Sequence, residues 1–273
     1  MKKFEGILIC TDLDGTLLRN DKSISEENIR AIEYFKSEGG RFTFITGRMP
    51  YFATEMRDAI KPNAPIGCYN GGGVYDFETG KYIWARSVPP STLELANYVC
   101  DNIENMSYQI TLFDKILFHN DNSEMVGFRK RTNVPHLVHT DDMEIEPFAK
   151  IVFGHPDPEM AAKAMEILKD HPRHDEFDYI RSELALSEIL PKGVHKGAAL
   201  PKIAEAVGVD VSRVIAIGDF DNDVTMIRDA ALGVAVGNAT PEVKAVADLV
   251  TVTNEEHAIA HIISMLDSGE LVI

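Results

Sequence analysis

The chain has 273 residues, of which 45% are hydrophobic and 26% charged, and its 43 acidic against 27 basic side chains give a formal net charge of -16. That length can bury a sizeable core as one large domain or two modest ones, while the acidic excess argues against a nucleic-acid partner, which calls for Lys and Arg in surplus. No stretch reaches the roughly 18 apolar residues of a membrane helix, and the start of the chain has no signal-peptide run. The three cysteines are far apart with no C-x-x-C pair, so free thiols, a reducing cytoplasmic setting and no membrane partner are expected.

The first third alternates strand and helix. Residues 6–11 form an apolar run that ends in an Asp-rich turn. Ser23-Ile24-Ser25-Glu26 has capping-box spacing and opens a helix with Ile29, Ile32 and Phe35 on one face, stopped by Gly39-Gly40. Residues 41–46 predict a second strand, Pro50 suits the first turn of another helix, and residues 65–69 predict a third strand broken at Asn70-Gly71-Gly72-Gly73. Strands separated by helices imply a parallel sheet covered on both faces.

The middle has a different pattern. Hairpins are expected around Thr79-Gly80 and Asp114-Lys115, and Ser91-Thr92-Leu93-Glu94 has the spacing of another capping box. Strands follow at 150–153, 177–180 and 184–189, with a helix over 158–170. The last third returns to alternation, with helices over 195–207, 221–230 and 256–266 and strands at 214–217 and 233–236. The economical organisation is an α/β core built from residues 1–83 and 189–273, with an α+β module of residues 84–188 inserted where a surface loop leaves the core.

Four short motifs carry chemistry. Asp12-Leu13-Asp14-Gly15-Thr16 follows the first strand, and in an open parallel sheet ligands bind beyond the carboxyl ends of strands. Two carboxylates on one side there can divide labour, one attacking and one moving protons. Thr46-Gly47-Arg48 follows the second strand and offers a hydroxyl and an approachable backbone N–H to an oxyanion. Lys196 opens a helix, where a cation is disfavoured by the macrodipole unless it faces anions. Gly218-Asp219-Phe220-Asp221-Asn222-Asp223 ends a very apolar strand and holds more carboxylates than capping needs. Asp12, Asp14, Asp219 and Asp223 converging would repel unless a cation sat among them, and Mg²⁺ suits a few carboxylates plus water and phosphate oxygens. Lys196 would add charge to steady Asp12 and a transferring phosphoryl group.

Together and in this order, these motifs resemble those of the haloacid-dehalogenase superfamily. Asn70-Gly71-Gly72 and Lys192-Gly193-Val194-His195-Lys196-Gly197 further resemble its Cof-like sugar-phosphatase branch. The resemblance implies a Rossmann-like parallel-sheet core with an inserted α/β (α+β) cap, and a phosphatase of small phosphorylated metabolites. It implies that Asp12 is the nucleophile and Asp14 the general acid/base. Mg²⁺ would be held by Asp12, the Asp14 carbonyl and Asp219, with Asp223 either binding the ion directly or supporting the groups that do. Phosphate would be bound by Thr46, Gly47, Lys196 and Asn222 with the Leu13 backbone, and Asn70-Gly71 would line the entrance. Gly72-Gly73 departs from the family's habit of a bulkier residue there. A sugar phosphomutase, or a sugar-phosphate-binding regulator without turnover, would share the motifs; a true dehalogenase would need neither Asp14 nor Asp219. Cap residues should select the substrate, with Arg129, Lys130, Arg131, His136, His139 and Arg181 as compositional candidates.

Overall fold

The computed structural model describes residues 2–140 and 142–273. They form two compact units, one of residues up to Ala85 together with His195–Ile273, the other Arg86–Val194.

In chain order the first unit begins with β1 (Leu8–Thr11), α1 (Glu26–Ser37), β2 (Arg41–Phe44), α2 (Thr54–Ile60), β3 (Ile66–Cys68), β4 (Gly73–Asp76) and β5 (Lys81–Ala85). β1 is buried along its whole length, as a strand covered on both faces must be. The cap of α1 is Ser25, whose side chain accepts from the Asn28 N–H, and Glu26 and Glu27 sit where the helix dipole welcomes anions. Ser23 instead donates to Asp21, so the Ser23-to-Glu26 capping box does not form. Gly40 ends the turn after α1 because a Cβ there would lie 2.3 Å from the Phe35 ring. β3, β4 and β5 make a small antiparallel sheet, the hairpin expected around Thr79-Gly80 being β4–β5.

The second unit contains α3 (Leu93–Asn102), β6 (Ser107–Thr111), β7 (Ile116–His119), α4 (Ser123–Thr132), β8 (Lys150–Gly154), α5 (Pro158–Leu168), β9 (Phe177–Glu183) and β10 (Leu186–Pro191). Its five strands are antiparallel in the order β7-β6-β8-β10-β9. Leu95 and Val99 of α3 and Ala164 and Leu168 of α5 pack with Tyr108, Ile110, Ile151, Phe153 and Ile189, so one face of the sheet belongs to the apolar core. The capping box expected at Ser91 is replaced by a 3-10 turn, Pro90–Thr92, that leads into α3 without a side-chain cap. The unit ends beyond residue 188 because β10 runs on to Pro191, paired with β9.

The chain then completes the first unit with α6 (Lys196–Val207), β11 (Val214–Gly218), α7 (Val224–Asp229), β12 (Leu232–Ala235), α8 (Pro241–Val246), β13 (Leu249–Val250) and α9 (Ala258–Ser268). The main sheet is parallel throughout, in the order β13-β12-β11-β1-β2. This is the Rossmann-like α/β core with an α/β insert that the motifs implied.

Candidate active site

Strand order locates the site. β1 lies between β2 on one side and β11 on the other. The chain leaves β1 towards β2 and leaves β11 the opposite way, towards β12, so the loops beyond their carboxyl ends diverge. A crevice opens at such a switch point. Asp12 is the first residue after β1, and Asp219 the first after β11.

Asp12, Asp219 and Asp223 each bring a carboxylate oxygen to within 4.8 Å of the others. Lys196, 1% exposed, reaches them from the first turn of α6. Its ammonium donates to Asp12 Oδ1 at 2.7 Å and to Asp223 Oδ1 at 2.6 Å. These contacts offset the cost of a cation at a helix N-terminus. His195 caps α6 through Nδ1, which accepts from the Ala198 N–H at 3.1 Å. Asp223 Oδ2 accepts from the backbone N–H groups of Asp219, at 2.9 Å, and Phe220, at 3.1 Å. Asp223 therefore binds the lysine with one oxygen and the Asp219 turn with the other. Thr16 donates to Asp219 Oδ1 at 2.6 Å.

Electrostatics follow from this packing. Burial, then the Asp223 charge, hold the Asp12 carboxyl well above its ordinary value, with Lys196 opposing. The same two causes push Asp219 up to about 7. Burial works against the Lys196 charge, but Asp12 and Asp223 more than compensate and hold its ammonium above the usual lysine value. One ammonium among three carboxylates leaves two negative charges in a largely buried place. An all-oxygen donor set with that deficit fits one hard divalent cation.

Asp14 is placed differently. Its carboxylate is not in the cluster; it accepts from Arg48 at 2.8 and 3.1 Å and from Lys22 at 2.9 Å. Burial alone would raise its pKa, yet the Arg48 and Lys22 charges hold it below the ordinary value. Asp14 remains near enough for its charge to contribute to raising Asp219.

Thr46, Gly47, Asn70 and Asn222 meet. The Asn70 N–H donates to the Thr46 carbonyl at 3.0 Å, and the Asn222 side-chain amide donates to Asn70 Oδ1, also at 3.0 Å. A Cβ on Gly47 would lie 3.1 Å from the Asn70 amide, so glycine lets the two loops approach. Tyr69, Asn70 and Gly71 are all left-handed, with φ of 53°, 55° and 91°. Such a run is strained and persists where its surroundings fix it. At Gly71 a Cβ would sit 2.1 Å from the His195 carbonyl oxygen. Asn222 Oδ1 is buried without a hydrogen-bond partner. Leu13 is fully buried between the two aspartates.

Several working residues escaped the motif reading. Thr16 and Arg48 stood inside quoted motifs without assigned roles, and Lys22 had no signal at all. Asn238 donates to the Gly15 carbonyl at 2.8 Å and braces the loop after β1 from a position 223 residues away. Among the basic residues proposed for the insert, Arg129 pairs with Asp121, Arg131 pairs with Glu124, and Arg181 donates to the Leu184 carbonyl.

A family model of haloacid dehalogenase-like hydrolases matches residues 9–263. The chain belongs to that family. This hydrolase is 29% identical over 260 residues to the 5-amino-6-(5-phospho-D-ribitylamino)uracil phosphatase YitU of Bacillus subtilis, covering 93% of this chain and 94% of the relative. A crystal structure from Thermotoga maritima shares 28% identity with a TM-score of 0.78, covering 94% of this chain and 96% of that one. A subclass IIB sugar phosphatase of the same superfamily has the same fold, with a TM-score of 0.82 at 23% identity over 97% of this chain and 100% of that one. Family and relatives together make the hydrolase an enzyme acting on phosphoric monoesters. Among the described residues, no helix of this hydrolase is long and apolar enough to cross a membrane.

Proposed function

We propose that the enzyme hydrolyses small phosphorylated metabolites, sugar and sugar-alcohol phosphates foremost, through a phosphoryl group carried transiently on Asp12. The observation that carries this reading is the Asp12 carboxylate at the sheet's switch point, 2.7 Å from a buried ammonium and beside Asp219. That is an anionic nucleophile beside positive charge able to meet a phosphoryl group.

In this proposal Asp12, Asp219 and the Asp14 backbone would hold Mg²⁺, and Asp223 would act by fixing Lys196 and the Asp219 turn. The bound ion would neutralise the carboxylates and the phosphoryl oxygens together. Asp12 attacks phosphorus and the bond to the leaving alcohol breaks. Asp14 gives that alcohol its proton. Water then attacks the aspartyl phosphate while Asp14 takes a proton from it, which releases inorganic phosphate and restores Asp12. Arg48 and Lys22 hold Asp14 in place between the two steps. Thr46, the Gly47 and Leu13 backbones, Lys196 and Asn222 bind the phosphoryl oxygens. Asn70 and Gly71 shape the entrance, and the insert selects the alcohol.

YitU is named for a phosphate carried on a ribityl chain, which supports an alkyl ester of a polyhydroxylated alcohol as substrate. The test is phosphate release, with Mg²⁺, from a panel of sugar phosphates, sugar-alcohol phosphates, nucleotides, pyridoxal phosphate and flavin mononucleotide. Release from sugar or sugar-alcohol phosphates above the others supports the reading. Isomerised ester without release would mark a phosphomutase, and binding without either reaction a regulator.

A further inference from the structure

Asn254 is 2% exposed and opens a short 3-10 turn, Asn254–Glu256, after β13. Thr253 and Glu256 fix that turn, the Thr253 hydroxyl donating to Glu256 Oε2 at 2.7 Å and the Thr253 N–H at 3.1 Å. Asn254 then works in two directions. Its N–H donates to Asn238 Oδ1 at 2.9 Å, and Asn238 is the residue that meets the Gly15 carbonyl. Its side-chain amide donates to the Leu18 carbonyl at 2.9 Å and to Asn20 Oδ1 at 3.3 Å. Glu255 adds a third hold, accepting from the Asn20 N–H at 2.7 Å. The segment after Asp14 is thus pinned at Gly15, Leu18 and Asn20 by residues that follow β12 and β13.

The pinned segment carries a cation to Asp14. The Leu18 N–H donates back to the Leu13 carbonyl at 2.8 Å, so Leu18 also ties down the backbone beside Asp14. Residues 19–23 then close a turn in which the Arg19 N–H donates to the Ser23 carbonyl and the Lys22 N–H to the Arg19 carbonyl, each at 2.9 Å. Lys22 sits in that turn with φ of 69°, a left-handed conformation that a residue with a side chain holds only where its surroundings impose it. From there its ammonium donates to Asp14 Oδ1 at 2.9 Å, although the side chain is 64% exposed. An exposed lysine pair is ordinarily weak, because a long side chain loses freedom in making it. Fixing the backbone beneath the lysine removes part of that loss in advance.

We propose that Asn254 is a positioning residue for the proton transfers at Asp14, acting through Leu18 and the 19–23 turn on Lys22, and through Lys22 on the Asp14 carboxylate. The proposal rests on the phosphatase reading and deepens it by naming what holds the proton carrier. Arg48 donates to both Asp14 oxygens, at 3.1 Å to Oδ1 and 2.8 Å to Oδ2, whereas Lys22 donates to Oδ1. Oδ1 therefore takes two donors and Oδ2 one, which leaves Oδ2 the freer oxygen to carry the proton. None of the bonds that anchor this segment is made to the side chain of Asp12 or Lys196. Losing them should disturb proton movement and spare the attack on phosphorus.

The experiment uses the full chain with Asn254→Leu, Lys22→Met and the double variant, assayed with Mg²⁺ on p-nitrophenyl phosphate and ribitol 5-phosphate. Asn254→Ser, which keeps a small polar group in the buried position, gives the same comparison where Asn254→Leu folds poorly. Rapid quench separates the first p-nitrophenol released from the later release of phosphate. Each single variant should release its first p-nitrophenol within about twofold of the wild-type rate, because that leaving group needs no proton. Release of phosphate from the enzyme, and both steps with ribitol 5-phosphate, should slow about tenfold, as for a lost hydrogen bond. Because the two residues act in series, the double variant should be no slower than the slower single variant. Equal slowing of both p-nitrophenyl steps in the Asn254 variants would overturn the inference, as would losses that add in the double variant. A wild type that releases no phosphate from either ester would bring down the phosphatase reading itself, and this inference with it.

Discussion

Lys196 and Asp223 form a buried ion pair of 2.6 Å whose far carboxylate oxygen is bonded to the backbone of the Asp219 turn. The pair ties the start of α6 to the loop after β11, and so fixes the ammonium that faces Asp12. Removing one partner of a buried pair leaves an uncompensated charge. Asp223→Ala should therefore cost about 3–5 kcal/mol of stability. Asp223→Asn, which keeps an acceptor for the backbone, should cost clearly less. Urea denaturation of both variants checks this, and equal costs would show that the turn does not depend on that acceptor.

Gly15 is the second point where the loop after β1 meets Asp219. Its φ is +82°, and a Cβ there would lie 2.4 Å from Asp219 Oδ2. Gly15→Ala should therefore displace the Asp219 carboxylate. Mg²⁺ affinity, read by calorimetry, should drop at least about tenfold, in line with the loss from disturbing groups that orient metal ligands. Unchanged affinity would remove Asp219 from the metal site.

The carboxylate cluster also predicts how the metal acts. Excess chelator should abolish phosphate release and Mg²⁺ should restore it. Ca²⁺ should inhibit, because its larger and looser coordination spoils in-line attack. Mg²⁺ at about 100 times its dissociation constant should add about 2.7 kcal/mol of stability. Full turnover in excess chelator contradicts the proposed site.

Metal-free protein should respond to pH with a definite sign. Burial and the neighbouring Asp223 raise Asp219 to about 7 in the folded chain, against about 3.9 when unfolded. The folded state then holds a proton that the unfolded state has lost, so stability falls as pH rises from about 4 through about 7. In chelator, the melting temperature should decline over that window. With saturating Mg²⁺ the decline should vanish, since the cation replaces the proton. A melting temperature in chelator that is flat from pH 5 to pH 8 contradicts the buried cluster.

Much of the core was legible because its signals are local. The apolar runs of β1 and β11 each end in Asp-rich turns, and the parallel arrangement follows from strands alternating with helices. Motif order brought Asp12, Lys196, Asp219 and Asp223 together in advance, although 184 residues separate Lys196 from Asp12. What stayed hidden depends on partners distant in sequence. Lys22 acquires its role through Asp14, and Asn238 through the Gly15 carbonyl, and neither residue type signals this locally. In the insert, basic residues drew attention by composition, yet Arg129 and Arg131 are neutralised by Asp121 and Glu124.

The central claim is that Asp12 carries the phosphoryl group while Asp14 moves protons. Asp14→Asn tests it most directly. An alkyl leaving group needs a proton, so both steps with sugar phosphates should slow, by about 10²–10⁴-fold each. A p-nitrophenolate leaves without a proton, so only attack of water on the aspartyl phosphate should stall. Rapid-quench analysis with p-nitrophenyl phosphate should show a burst of about one p-nitrophenol per active site, with the phosphoryl group located on Asp12 by mass spectrometry after reductive trapping. Steady linear turnover at the wild-type rate, or a phosphoryl group on any other residue, would contradict the account.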